Sequence, residues 1–171
     1  NDTDFLVAGT SAITGVPLLN SVALNIGAGS TGAATFSMRY LSTLSGNVAA
    51  GQTILINGNN SDTAATLTAA TGFTNAGTIT LQTLNGTSYS SNLTVTSGTL
   101  TNMGTINIEP NAVDGPTGRT ITAELANSGV LNVKASATLG RSSADHTNSG
   151  TINVTGGDLT VSQSGTTPTF G

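Results

Sequence analysis

Leu100-Thr101-Asn102-Met103-Gly104-Thr105-Ile106-Asn107-Ile108 decides the fold, because the chain writes it four times. It aligns without gaps with Phe73-Thr74-Asn75-Ala76-Gly77-Thr78-Ile79-Thr80-Leu81, with Leu125-Ala126-Asn127-Ser128-Gly129-Val130-Leu131-Asn132-Val133, and with His146-Thr147-Asn148-Ser149-Gly150-Thr151-Ile152-Asn153-Val154. The shared pattern is an apolar residue, Asn two places on, Gly two further, then two apolar residues in alternation; only His146 breaks the apolar rule. Two weaker copies precede these. Residues 18–26 keep the Asn and the alternating end but place Val22 where Gly belongs, and residues 48–56 keep only the apolar frame. Motif starts at 18, 48, 73, 100, 125 and 146 describe a variable period with insertions between fixed units.

Each motif ends in period-two alternation, such as Ile106-Asn107-Ile108, which puts two apolar side chains on one face of a strand and the polar one on the other. Further alternating stretches, Leu93-Thr94-Val95, Thr120-Ile121-Thr122 and Leu159-Thr160-Val161, follow turn-forming residues. Thr, Val and Ile favour strands because branching at Cβ restricts χ1 and suits a pleated surface. No unit this short buries its apolar stripe alone, so the units must stack on one another. The expected fold is all-β: a single-stranded, right-handed parallel β-helix of about six coils, with rungs about 4.8 Å apart. It forms one domain over residues 1–171, with 1–17 as an N-terminal cap or edge, 18–72 as irregular coils and 73–171 as regular coils.

Stacking turns sequence offset into contact. Asn75, Asn102, Asn127 and Asn148 should form one column of amides bonded from coil to coil. Thr80, Asn107, Asn132 and Asn153 should form a second, outward column. Gly77, Gly104, Gly129 and Gly150 are expected at corners, with positive φ. Seven residues after each motif Asn come Gln82, Glu109, Lys134 and Thr155, so Glu109 and Lys134 should meet as a surface ion pair.

Composition narrows the function. Thr (32), Ser (18), Asn (17) and Gly (22) fill 89 of 171 positions, whereas only 7% of residues are charged. That excludes charged helical bundles and coiled coils. Four basic residues and a net charge of -4 exclude nucleic acid and anionic lipid as partners, since both need clustered Lys and Arg. With no Cys there is no disulfide, thiolate metal site or thiol nucleophile. No apolar run is long enough to insert in a membrane as a helix. The Cys-free, Lys-poor, Thr- and Asn-rich composition points to a secreted or surface-displayed bacterial protein.

Few residue groups suggest chemistry. Glu124 and Asp145 each precede a motif one coil apart, about 5 Å by rung spacing, which is near the separation of a retaining glycosidase pair, and His146 adjoins them. The competing expectation is that both carboxylates are solvated at a corner and that His146 packs in the slot held elsewhere by Phe73, Leu100 and Leu125. Residues 57–62, Asn-Gly-Asn-Asn-Ser-Asp, are rich in oxygen but lack the spaced acids of a Ca²⁺ loop, so they are expected to form a turn and no cofactor is assigned. Asn59, Asn85, Asn92 and Asn153 begin glycosylation sequons, which chance supplies freely in this composition. With no Trp, the best exposed anchors for a sugar are Tyr40, next to Arg39 in what reads as a long insertion after the first coil, and Tyr89 in the insertion 85–91. The alternative for each Tyr is a lid on the solenoid edge.

The repeated unit from Phe73 to Val154 resembles the parallel β-helix repeats of large bacterial surface proteins, including filamentous-haemagglutinin-like adhesins. The resemblance implies a secreted, right-handed solenoid acting as a stalk or adhesive surface, and the function expected of the chain is surface attachment or display without catalysis. A carbohydrate-binding module attached to a polysaccharide-degrading enzyme is the alternative, and a glycan-cleaving β-helix built on Glu124 and Asp145 a third. Partners would be extracellular or cell-wall glycan, or neighbouring domains of the same protein. Phe170 falls 24 residues after His146 and reads as the start of a further motif, so the chain is expected to be a segment of a longer protein or to associate end to end.

Overall fold

The structure, a computed structural model, describes residues 3–84, 89–111, 118–165 and 167–171. Among these the regular elements are strands, and the ladders between them are parallel. The chain is a parallel β-helix. Its first face stacks Thr3–Val7, Val22–Ile26, Leu41–Ser45, Ala65–Ala69, the beginnings of Ser91–Asn102 and Arg119–Asn127, then Ala137–Gly140 and Leu159–Ser162. A second face stacks seven strands: Leu18–Asn20, Ala34–Arg39, Gln52–Gly58, Thr78–Thr83, Thr105–Asn111, Val130–Val133 and Thr151–Val154. A short third face carries Phe73–Asn75, residues 99–102 and 124–127, Asp145–Asn148 and Thr169–Phe170.

Alternation positions the core. Ile54, Ile79, Ile106 and Leu131 pair in one inward column, and Ile56, Leu81, Ile108 and Val133 in the next. Leu67, Leu93, Ile121 and Leu139 face them from the first sheet. All of these are buried, and each such side chain contributes about 1.5–3 kcal/mol on leaving water. Like residues stack on like because rung n and rung n+1 offer the same width of cavity.

The motif copies from Phe73 onward fall in one phase: Leu100 pairs with Phe73 and Leu125, and Ile106 with Ile79 and Leu131. The first 72 residues differ from the sequence expectation. In the copy at 18–26, Leu18–Asn20 lies on the second face and Val22–Ile26 on the first, whereas the later motif runs from the third face onto the second. The interval from 18 to 48 holds the extra strand Ala34–Arg39, paired to Gln52–Gly58, so Arg39 ends a strand rather than lying in an insertion. Early rungs repeat after only 18 to 20 residues, as in Ala34 to Gln52 and Ala23 to Thr43, because they lack the third face. Alignment to the longer motif therefore skipped one.

The corner glycines also differ. Positive φ occurs at Gly9, Gly15, Gly29, Gly46, Gly51, Gly98 and Gly165, but not at Gly77, Gly104, Gly129 or Gly150. A Cβ built at Gly104, Gly129 or Gly150 would sit under 3.0 Å from the carbonyl oxygen of the preceding glycine in the column, and at Gly77 equally close to the carbonyls of Ala49 and Gln52. Glycine is required there for close approach between coils. At its far end the chain places Phe170 opposite His146, with ring centroids 6.0 Å apart.

Candidate functional site

The inner Asn column runs as a continuous chain of amides. Asn75 Nδ2 donates to Asn102 Oδ1 (2.8 Å), Asn102 to Asn127 (2.6 Å) and Asn127 to Asn148 (2.6 Å). Each Nδ2 also reaches a carbonyl of the next coil: Thr105, Val130 and Thr151 respectively. Asn75 Oδ1, at the start, is buried and has no partner among the described residues, because the preceding rung presents Val48 there. The outward column runs in the opposite sense, Asn153 donating to Asn132 and Asn132 to Asn107, both at 2.9 Å. Thr80 heads that column beside Asn107. Both sets of amides close rungs together, and the outward set keeps N–H and lone-pair capacity on its solvent side.

Beside the outward column, Lys134 Nζ meets Glu109 Oε1 at 2.7 Å. With the two side chains 47% and 26% exposed, this pair adds at most about 1 kcal/mol. Leu55, Thr80, Gln82, Thr83, Glu109 and Pro110 line an open groove of about 510 Å³ on the same face. Gln82 Nε2 is held by Asn57 Oδ1 at 2.7 Å.

Glu124, Asp145 and His146 are neighbours whose side chains turn to different partners. Glu124 Oε1 accepts from Thr99 Oγ1 (2.6 Å), and Oε2 from the Asp145 backbone N–H (3.4 Å). Asp145 Oδ1 accepts from Thr169 Oγ1 (3.0 Å). The carboxylates thus point along the stack, each toward a hydroxyl one coil away. His146 points the other way, into the core, with 1% of its surface exposed. Its Nδ1 accepts from the Leu125 backbone N–H at 3.1 Å, which puts the proton on Nε2. Burial pushes its pKa below the usual value, Arg141 adds to that, and Glu124 and Asp145 oppose it. Its Nε2 is buried with no hydrogen-bond partner among the described residues.

That burial has a pH signature. The folded state holds His146 neutral, while the unfolded chain takes up a proton near pH 6.5. Its contribution to stability is therefore full above about pH 6.5 and declines as pH falls below it. Urea midpoints measured from about pH 7 to 5.5 should fall for the wild type and stay nearly level for His146→Leu. A parallel fall in both would assign the effect to other groups.

Arg39, Tyr40 and Tyr89 lie along the corner joining the second face to the first. Arg39 Nη1 meets Asp62 Oδ2 at 3.1 Å, Asn20 Nδ2 donates to Asp62 Oδ1 (2.6 Å), and Asn59 Nδ2 donates to Oδ2 (3.2 Å). Asn59 Oδ1 accepts the backbone N–H groups of Ser61 and Asp62, and Asn59 bridges Thr63, so this stretch is a turn folded back on Arg39. Burial raises the Asp62 pKa, but the bonds from Arg39 and Asn59, the Arg39 charge and the bond from Asn20 outweigh it and hold the carboxyl below its usual range. Asp62 is neutralised by protein groups, which leaves the turn without the free acids of a Ca²⁺ loop. Among the described residues no three acidic or imidazole side chains converge on a metal position.

Tyr40 is 43% exposed and has φ +50, a left-handed conformation that costs a bulky residue energy. Its carbonyl accepts from Thr66 N–H, and Ser90 O accepts from Ala65 N–H. Tyr40, Ala65 and Ser91 therefore follow one another along the corner, and Tyr89 stands two residues before Ser91 with its carbonyl beside Gly58. Residues 85–88 of the insertion, including the Asn85 sequon, lie outside the described residues.

Arg119 is a buried charge that the motif search did not single out. Burial lowers its pKa to about 10. The signal was present, since Arg119 stands two residues before inward-facing Ile121 and alternation carries it inward too.

Among the described residues no helix is long and apolar enough to cross a membrane. Scans against protein-family models, curated proteins and solved structures found no match for this chain.

Proposed function

We propose that this chain is a non-catalytic adhesion, display or stalk module of a bacterial surface or secreted protein, acting through the outward faces of its stacked strands. The carrying observation is the fate of its reactive side chains. Glu124 and Asp145 bond to hydroxyls of neighbouring coils, His146 is enclosed, and Arg39 is held by Asp62. What repeats along the exterior is uncharged hydroxyl and amide, arranged for contact over length rather than for chemistry at a point. Beads coated with the chain should adhere to insoluble cell-wall polysaccharide or to cells, with no new reducing ends or unsaturated products in the supernatant. Product formation abolished by Glu124→Gln would replace this reading with a glycan-cleaving one.

One observation favours glycan binding as the attachment chemistry. Tyr40 keeps an exposed ring on a strained left-handed backbone, which stability alone would not select. Tyr40→Gly relieves that backbone, so its melting midpoint should match or exceed wild type while retention on polysaccharide falls. Retention unchanged in both Tyr40→Gly and Tyr89→Ala would remove the tyrosines from the contact.

A further inference from the structure

The first face carries a two-column array whose only side-chain hydrogen bond among the described residues runs from Asn92 to Thr66. Its outward residues on successive rungs are Leu41 and Thr43, Thr66 and Thr68, Asn92 and Thr94, Thr120 and Thr122, Thr138 and Gly140, then Thr160 and Ser162. Register is unbroken through all six rungs. The irregularity in the fifth ladder of this stack falls between Thr94 and Thr99, at the corner beyond the face. Neighbouring rungs lie about 4.8 Å apart and the two columns about 6.7 Å apart, so the array covers roughly 24 Å along the solenoid.

Three properties distinguish this face. It has no Asp, Glu, Lys or Arg at any of those outward positions, whereas the second face carries Glu109 and Lys134. Among the described residues, the hydroxyls of Thr68, Thr94, Thr120, Thr122, Thr138 and Thr160 make no hydrogen bond within the protein, whereas the Asn amides of the second face bond to one another. Asn92 turns its amide onto Thr66 Oγ1 at 3.3 Å and so lies along its column. Finally, branching at Cβ limits each Thr to few rotamers on a strand, fixing methyl and hydroxyl positions before any ligand arrives.

We propose that this face binds the surface of ice. Solid water is a flat, uncharged, two-dimensionally periodic array of hydrogen-bond donors and acceptors, and a protein meets it best with the same attributes. Threonine supplies both halves of the contact: a hydroxyl that joins the water lattice and a methyl that sits over its gaps. A charge would be costly there, because ordered water cannot reorganise to solvate it. A soluble glycan, by contrast, is gripped through apolar stacking faces, and this array holds no aromatic residue; Tyr40 stands at its border. The inference is independent of glycan attachment, since it uses different residues.

The experiment is partition into slowly growing ice, using the full chain mixed with an unrelated uncharged-surface protein of similar size. The wild type should concentrate in the ice and shape the crystals into facets. Thr94→Arg with Thr122→Arg, on adjacent rungs in the middle of one column, should lower incorporation to that of the control protein. Thr78→Arg, on the second face, should leave it unchanged. Circular dichroism melting of each variant shows that the fold persists, and Thr94→Ser with Thr122→Ser, which removes only methyls, gives a milder second test with partial loss expected. Exclusion of the wild type from ice, or incorporation unaffected by the double Arg variant, overturns the proposal.

Discussion

Gly129→Ala should be among the most damaging single-methyl changes this chain can suffer, with a loss of more than about 3 kcal/mol in unfolding free energy. The added Cβ meets the Gly104 carbonyl and backbone atoms of Met103, which cannot turn aside as a side chain would. Those atoms belong to the preceding coil, held by Gly129 N–H to Asn102 O and Val130 N–H to Gly104 O, both at 2.9 Å. Relief therefore requires two coils to separate, breaking bonds on both sides of the corner. Gly29→Ala is the matched comparison. Gly29 has φ +78 but nothing within 4 Å of its missing Cβ, so only the left-handed backbone resists, at about 1 kcal/mol. Urea unfolding of both variants checks the ranking. Equal losses would mean that the column selects glycine for its dihedral angles rather than for contact.

That contrast marks the limit of what the sequence made legible. The motif from Phe73 to Val154 carried the fold because offset alone predicts which residues stack, and Ile79, Ile106 and Leu131 meet as their spacing requires. It exposed the Asn columns for the same reason. Spacing does not reveal why a glycine is there, because close approach and positive φ leave the same letter. Nor could the pattern resolve residues 18–45, where the rungs omit the third face and the period shortens until the motif no longer fits. Val48 shows the transition: the motif aligns it with Phe73, but it is buried in the place of the ladder Asn one rung before Asn75. The direction in which His146 points was legible from its apolar slot. The engagement of Glu124 with Thr99 follows from the same offset, since each stands one place before a motif start, whereas that of Arg39 with Asp62 was not legible, because Arg39 lies in the early rungs that the motif does not fit.

Asn102→Ala should cost about 3 kcal/mol, several times the loss from Asn153→Ala in the outward column. Asn102 is fully buried; it accepts from Asn75 and donates to both Asn127 Oδ1 and Val130 O. Truncation leaves Asn127 Oδ1 without its donor at a site closed to water, and an unmet buried polar group carries a penalty of about 1–3 kcal/mol. Asn75 Nδ2 keeps only its longer bond to Thr105 O, 3.2 Å, and Asn75 Oδ1 already lacks a partner. The first ladder residue would then hold one bond where an amide offers three sites or more. A cavity adds to the loss, because the rungs above and below are fixed by backbone ladders and cannot close over it. Asn153, exposed, exchanges its bond to Asn132 for water and should lose less than about 1 kcal/mol. Asn102→Asp sharpens the argument, since the carboxylate keeps the acceptor for Asn75 but withdraws the donor and brings a charge into the stack. Its midpoint should recover toward wild type as pH falls through the carboxyl range, when the protonated acid can again donate to Asn127. A pH-independent deficit in Asn102→Asp, or equal losses at Asn102 and Asn153, would show that the inner amides fill space rather than bind one coil to the next.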